Sequence, residues 1–171
     1  MKKILFITLA MMLAMPIFAQ QKKELPKEKT TEKLQKVYDE NIDPMPQIDE
    51  ALELAKATNR FVICQVGGNW CPWCLRFAKF ITEDKEIAQL VDKNFVYIHI
   101  NTSKEKKNEE ALIRLGNPGR FGYPALVILD HDGRVMHIQN SAYLENGQSY
   151  DRKKVIEFFQ NWTAEAIDQI K

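Results

Sequence analysis

Two cysteines three positions apart, Cys71 and Cys74, enclose Pro72-Trp73 shortly after the apolar run Phe61-Val62-Ile63-Cys64-Gln65-Val66 and the pair Gly67-Gly68. Thiols at that spacing can share a disulfide, but a loop so short is seldom closed for stability, because the entropy it removes from the unfolded chain is small. The chemistry such a pair suits is thiol-disulfide exchange, in which a thiolate attacks a sulfur of another disulfide. A thiolate near neutral pH needs stabilisation. A helix N-terminus supplies it through unpaired backbone N–H groups and the positive end of the helix dipole. Cys71 is expected at such a terminus, with Pro72 in the first turn, where no donor is lost. Cys74 then falls one turn further in on the same side, and the pair reads as Cys71 the nucleophile and Cys74 the resolving thiol.

Other chemistries fit these residues less well. A zinc site needs three or four protein ligands, yet there is no second cysteine pair, and His99, His131 and His137 are dispersed, so no metal is expected. Covalent haem attachment wants histidine directly after the second cysteine, where Leu75 stands. The third cysteine, Cys64, lies inside the apolar run and reads as a small buried hydrophobe rather than a third redox thiol. Trp73 has two readings, a partly exposed ring beside the sulfurs or packing against Phe77. Arg76 and Lys79 follow on the same helix and read as its solvated face.

The elements that must position this pair can be placed from periodicity. Ile48, Leu52 and Ala55 recur at helical spacing from Pro46, with acids near the start. Phe61–Val66 suits a central strand covered on both faces. Leu75 to Ile81 continues the cysteine helix, with a bend expected near Thr82 before Ile87, Leu90 and Val91. Phe95–Ile100 reads as a second strand and Glu105–Leu115 as a polar helix. Ala125–Leu129 and Val135–Ile138 flank Asp132-Gly133 as a hairpin. Val155, Phe159, Trp162, Ala166 and Ile170 mark one stripe of a long final helix. The order predicts an α/β chain, a central mixed β-sheet flanked by helices.

Met1-Lys2-Lys3, the apolar stretch Ile4–Phe18 and Ala19 before a polar run have the form of a signal peptide, residues 1–19. The stretch is shorter than the roughly 20 residues a spanning helix needs and contains Pro16, so the mature form is not expected to span a membrane. Residues 20–45 are rich in Lys, Glu, Gln and Thr and read as a solvated polar leader that packs loosely. Residues 46–171 then form one domain. Without Lys2 and Lys3 the chain carries 22 basic and 23 acidic side chains, so nothing suggests a nucleic-acid partner.

Asn69-Trp70-Cys71-Pro72-Trp73-Cys74 after a strand, together with the distant Gly122-Tyr123-Pro124-Ala125 entering another, resembles thioredoxin and its exported relatives, over roughly residues 46 to 170. The resemblance implies the thioredoxin fold, thiol-disulfide oxidoreductase activity without a bound cofactor, and a periplasmic or other extracytoplasmic location. It makes Trp70 the aromatic beside the disulfide, and it makes Pro124 a cis-proline that leaves the backbone of Tyr123 to pair with a client chain. An ordinary strand-start proline is the plain alternative for Pro124. One departure concerns proton transfer: the family often places a buried carboxylate six residues before the nucleophile, and here that residue is Gln65. Either water, Glu53 or another group would then deprotonate the resolving thiol, or resolution is slower.

The expected function is exchange with disulfide-containing or dithiol client proteins, read as reduction with electrons from a membrane electron-transfer partner. Oxidation, which needs a reoxidising partner, and isomerisation stay open, because Pro72-Trp73 differs from the common thioredoxin Gly-Pro and isomerase Gly-His pairs and leaves the potential undetermined. The contrasting reading is a non-catalytic binding module of the same fold that holds a peptide or partner protein along the Tyr123-Pro124 edge beside a static disulfide. The segment 139–150 has no residue-level assignment.

Overall fold

Asp43 opens the first helix, accepting a hydrogen bond from the Met45 amide while Pro44 fills the first turn. This helix, α1 (Pro44–Ala57), turns Ile48, Ala51 and Ala55 inward and starts two residues before the expected Pro46. The structure is a computed structural model in which residues 34–168 are described. The signal segment, the first part of the leader and Ile170 lie outside the described residues.

Strand β1 (Phe61–Gly67) is buried at every position, as its unbroken apolar pattern requires. It pairs in parallel with β2 (Phe95–Asn101) and antiparallel with β3 (Ala125–Leu129), which pairs with β4 (Val135–Asn140). The sheet order is β2-β1-β3-β4. Alternation along β1 divides the core into two layers. Phe61 and Ile63 face α2 (Pro72–Glu83), α3 (Lys85–Asn94) and α5 (Arg152–Asn161), through Phe77, Ile87 and Phe159. Val62, Cys64 and Val66 face α1 and α4 (Glu109–Arg114), through Ile48, Ala55 and Ala111.

The expected bend near Thr82 is a complete break at Asp84. That residue ends α2 and caps α3, its carboxylate accepting from the amides of Glu86 and Ile87. Arg152 at the start of α5 pairs with the same carboxylate at 2.6 Å and holds it below the usual range. Helix α4 is shorter than the expected 105–115. Residues before it form a loop in which the Thr102 hydroxyl donates to the Lys107 carbonyl, and Asn108 takes a left-handed conformation that a helix cannot continue through.

The final stripe is two helices, α5 and α6 (Ala164–Asp168), parted at Trp162, whose ring stacks on His137 with centroids 4.5 Å apart. Residues 139–150 finish β4, make a 3-10 turn over Ser141–Leu144 and close as a small hairpin, β5 (Glu145–Asn146) with β6 (Ser149–Tyr150). That hairpin carries Tyr150 to the face of α2. Among the described residues, no helix is long and apolar enough to cross a membrane.

Candidate active site

Cys71 is the N-cap of α2. Its sulfur accepts a hydrogen bond from the Cys74 amide at 3.2 Å, and Pro72 follows in the first turn. The two sulfurs lie at disulfide distance, with Cα atoms 5.2 Å apart. Cys71 keeps 5% of its surface exposed and Cys74 none. Opposite them, the Tyr123–Pro124 peptide bond is cis, and the Tyr123 carbonyl oxygen stands 3.8 Å from the Cys71 sulfur.

Beneath the pair, Gln65 is fully buried on the β1 face that points to α2. Its amide nitrogen lies 3.0 Å from the Cys74 carbonyl oxygen and 2.6 Å from the Tyr38 hydroxyl; its amide oxygen accepts from the Tyr97 hydroxyl at 2.7 Å. A carbonyl only accepts, so the Cys74 carbonyl fixes which end of the amide is nitrogen. Burial pushes both phenols far above the usual tyrosine range, so the network is neutral. His99, paired with Gln65 across β1–β2, meets the Tyr38 ring edge-on at 5.1 Å, and burial lowers its pKa to about 4. Glu53 lies on the exposed side of α1, across the sheet from this network, and is placed to serve no sulfur.

The segment read as a solvated leader behaves otherwise over its described part. Tyr38 is 4% exposed and packs with Cys71, Cys74 and Leu75. Asn69, just before the motif, holds it in place: its side-chain oxygen accepts from the amides of Val37 and Tyr38, and its nitrogen donates to the Tyr38 carbonyl and to Glu40. Lys106 adds bonds to the carbonyls of Glu40, Asn41 and Ile42. The polar composition was misleading because the order comes from these hydrogen bonds and one buried aromatic, not from an apolar stripe.

Trp70 is 55% exposed, with its indole N–H donating to the Thr102 carbonyl at 2.7 Å and its ring edge-on to Tyr123. These two rings open a cleft of about 740 Å³ continued by Thr102, Ser103, Lys107 and Leu112. Trp73 is half-buried beside the cysteine pair and packs against Tyr150; the Tyr150 hydroxyl donates to the Trp73 carbonyl, and the Tyr150 ring meets Phe77 at 4.8 Å. Arg76 lies over the Trp73 ring, 5.0 Å from its centroid, and Lys79 pairs with Glu83. Cys64 is fully buried in the α1 layer, on the opposite side of the sheet from Cys74, and burial raises its thiol far above the usual range.

The sequence profile of the Thioredox_DsbH family, described as a protein of unknown function (DUF255), matches residues 22–169. The chain belongs to this family. It is similar to the crystal structure of a disulphide isomerase from Xylella fastidiosa Temecula1, at 27% identity and a TM-score of 0.66, over 75% of this chain and 97% of that one. It is also similar to the oxidised C-terminal domain of DsbD from Neisseria meningitidis, at 21% identity and a TM-score of 0.49, over 70% and 96% of the two chains. Among curated proteins it matches the uncharacterized protein B0495.5 of Caenorhabditis elegans, 28% identical over 93 residues, which are 53% of this chain and 13% of that protein. The fold is thioredoxin-like, a mixed sheet between helices, and it holds a Cys71–Cys74 pair of the kind that thiol-disulfide oxidoreductases carry.

Within this Thioredox_DsbH chain, the residues that sequence reasoning missed are Tyr38, Asn69 as a clamp, Tyr97 and Tyr150. Only Tyr38 left a trace, an aromatic four residues after Leu34 in a run otherwise dominated by charge. The others need the tertiary arrangement: Tyr97 and Gln65 are 32 residues apart, and Tyr150 meets Trp73 from 77 residues away.

Proposed function

We propose that this protein reduces disulfides of exported client proteins through Cys71 and Cys74. The observation that carries the reading is the difference between the two sulfurs: Cys71 caps α2, accepts the Cys74 amide and retains some exposure, whereas Cys74 is sealed. Cys71 as thiolate attacks one sulfur of a client disulfide; a bond forms to Cys71, the client bond breaks, and the first client sulfur leaves as thiolate and takes a proton from water. Cys74, once deprotonated, attacks the Cys71 sulfur. The Cys71–Cys74 disulfide forms and the second client sulfur leaves, so two electrons have passed to the client. A dithiol donor, expected at the membrane, restores the reduced pair.

The reductive direction is supported by electrostatics. A strong oxidant is made by stabilising the reduced thiolate, usually with nearby positive charge. Apart from the helix N-terminus at Cys71, the side chains gathered beneath the pair, Gln65, Tyr38 and Tyr97, are neutral, and the Arg76 guanidinium lies over Trp73. Trp70 and Tyr123 border the cleft, the Tyr123 carbonyl stands 3.8 Å from the Cys71 sulfur, and the cis Tyr123–Pro124 bond leaves that backbone to meet an extended client segment. Export rests on the signal-peptide pattern of residues 1–19.

Insulin reduction by wild type and by Cys71→Ser tests the activity. The wild type should turn over and the variant should fall to background; equal background activity in both would leave only a binding module. Equilibration with glutathione tests the direction, with a potential near roughly −270 mV expected for a reductant and one near roughly −180 mV overturning it.

A further inference from the structure

We propose that Tyr38, from the segment preceding α1, donates its hydroxyl hydrogen to the Cys74 thiolate and so activates the resolving sulfur in place of a buried carboxylate. The assignment rests on the exchange reading above. Its first support is hydrogen-bond accounting. The Cys74 carbonyl fixes the Gln65 nitrogen toward Tyr38, so the phenol oxygen accepts there at 2.6 Å and cannot direct its own hydrogen to that nitrogen. The hydrogen needs another acceptor. Tyr97 already donates to the far end of the Gln65 amide.

The second support is space. Gly67 has no side chain, and the point where its Cβ would stand is 2.9 Å from the Tyr38 oxygen and is overlapped by the Cys74 sulfur. Both atoms therefore occupy the gap that glycine leaves, within one buried cluster. The third is chemistry. A phenol whose ionisation is suppressed by burial stays a donor across the working pH range, so it acts on the thiolate as a hydrogen-bond donor, not as a base. The proton lost by Cys74 passes to water, and the thiolate left behind is held.

The titratable groups gathered at this sulfur are Cys71, Tyr38, Tyr123 packed against the same cluster, Tyr97 behind Gln65, and His99 against the Tyr38 ring; Tyr150 and Arg76 attend Trp73. His99 titrates near 4, below the range in which the thiol ionises. Asn69 and Lys106 fix the segment that delivers Tyr38, which makes them positioning residues for the same step.

The test is single-turnover reaction of the reduced full-length protein with dithiobis-nitrobenzoate, whose first released thiolate reports Cys71 attack and whose second reports resolution by Cys74. In Tyr38→Phe the first phase should match wild type, while the second slows about tenfold and its pH midpoint rises by about one unit. A second phase unchanged in rate and midpoint overturns the assignment. Incorporating a fluorinated tyrosine at position 38 keeps the packing and gives a more acidic donor, so it covers the case in which Tyr38→Phe folds poorly. There the midpoint should move down, and an unmoved midpoint also overturns the assignment. Wild type lacking a first phase faster than Cys71→Ser would instead sink the exchange reading, and this assignment with it.

Discussion

Gln65 in the central strand holds the backbone carbonyl of Cys74 at 3.0 Å, so the strand that supports the sheet also fixes the first turn of the helix that carries the thiols. The bond joins a fully buried amide to a fully buried residue, and each hydrogen on the Gln65 nitrogen has an acceptor. A neutral amide can satisfy the Cys74 carbonyl and both phenols together. An ionised carboxylate could not, because it has nothing to donate.

Gln65→Leu therefore leaves the Tyr97 hydroxyl without its acceptor and the Cys74 carbonyl with only its helical partner, and should cost about 1–3 kcal/mol in urea unfolding. Gln65→Glu should depend on pH. A carboxyl buried there has a folded pKa above its unfolded value, so the variant is nearest to wild type in acid and loses stability as pH rises through the folded value. A Gln65→Glu protein whose deficit stays constant from acid to neutral pH would contradict the buried, donor-dependent network.

His99 gives the opposite slope. Burial lowers its pKa from 6.5 to about 4. Above the unfolded value the ring is neutral in both states. As pH falls below it, the unfolded chain binds a proton that the folded chain refuses, so stability drops and levels off only below the folded value. The loss should reach about 2–3 kcal/mol, and His99→Gln should remove it. Urea midpoints of the two proteins compared across that window check this. Asp84 and Asp130, whose folded values are lowered, lose their contributions at still lower pH and are common to both proteins.

The pair, its helix and the central strand were legible from sequence because local rules dictate them: proline in a first turn, an unbroken apolar strand, an Asp-Gly turn. The mixed sheet, a parallel pair followed by an antiparallel one, followed from the same spacing, whereas the placing of β1 between β2 and β3 did not. The break at Asp84 was only half visible, since its cap and its Arg152 partner lie 68 residues apart. Glu105–Leu115 has helical composition, yet the left-handed Asn108 confines the helix to its second half. The leader was misjudged for a comparable reason. Charge density argues for solvation, but one Asn69 side chain supplies several partners to its backbone, and Tyr38 carries the burial.

Cys64 should be dispensable for exchange. It lies among Val62, Val66 and Ile48, with the sheet between it and Cys74, and burial suppresses its ionisation. Cys64→Ala should leave exchange rates within about twofold and cost about 1 kcal/mol for the small cavity. Iodoacetamide should label Cys64 only after unfolding. A Cys64–Cys71 or Cys64–Cys74 linkage found by mass spectrometry of the oxidised protein would place the third thiol in the chemistry.

Trp70 separates client binding from sulfur chemistry. Its ring is 55% exposed, touches Tyr123 and is tethered only through the indole N–H to Thr102, so removing it should cost little stability, about 1 kcal/mol or less. The same ring borders, with Tyr123, the cleft where an extended client chain would lie against it. Trp70→Ala should therefore raise KM for a protein disulfide such as insulin about five- to tenfold, the loss of one aromatic contact, while reaction with a small disulfide that never reaches the cleft stays near wild type. Equal slowing toward both substrates would mean that Trp70 acts on the sulfurs themselves, by holding the loop from Gly67 to Cys71, and the cleft would lose its standing as the client site.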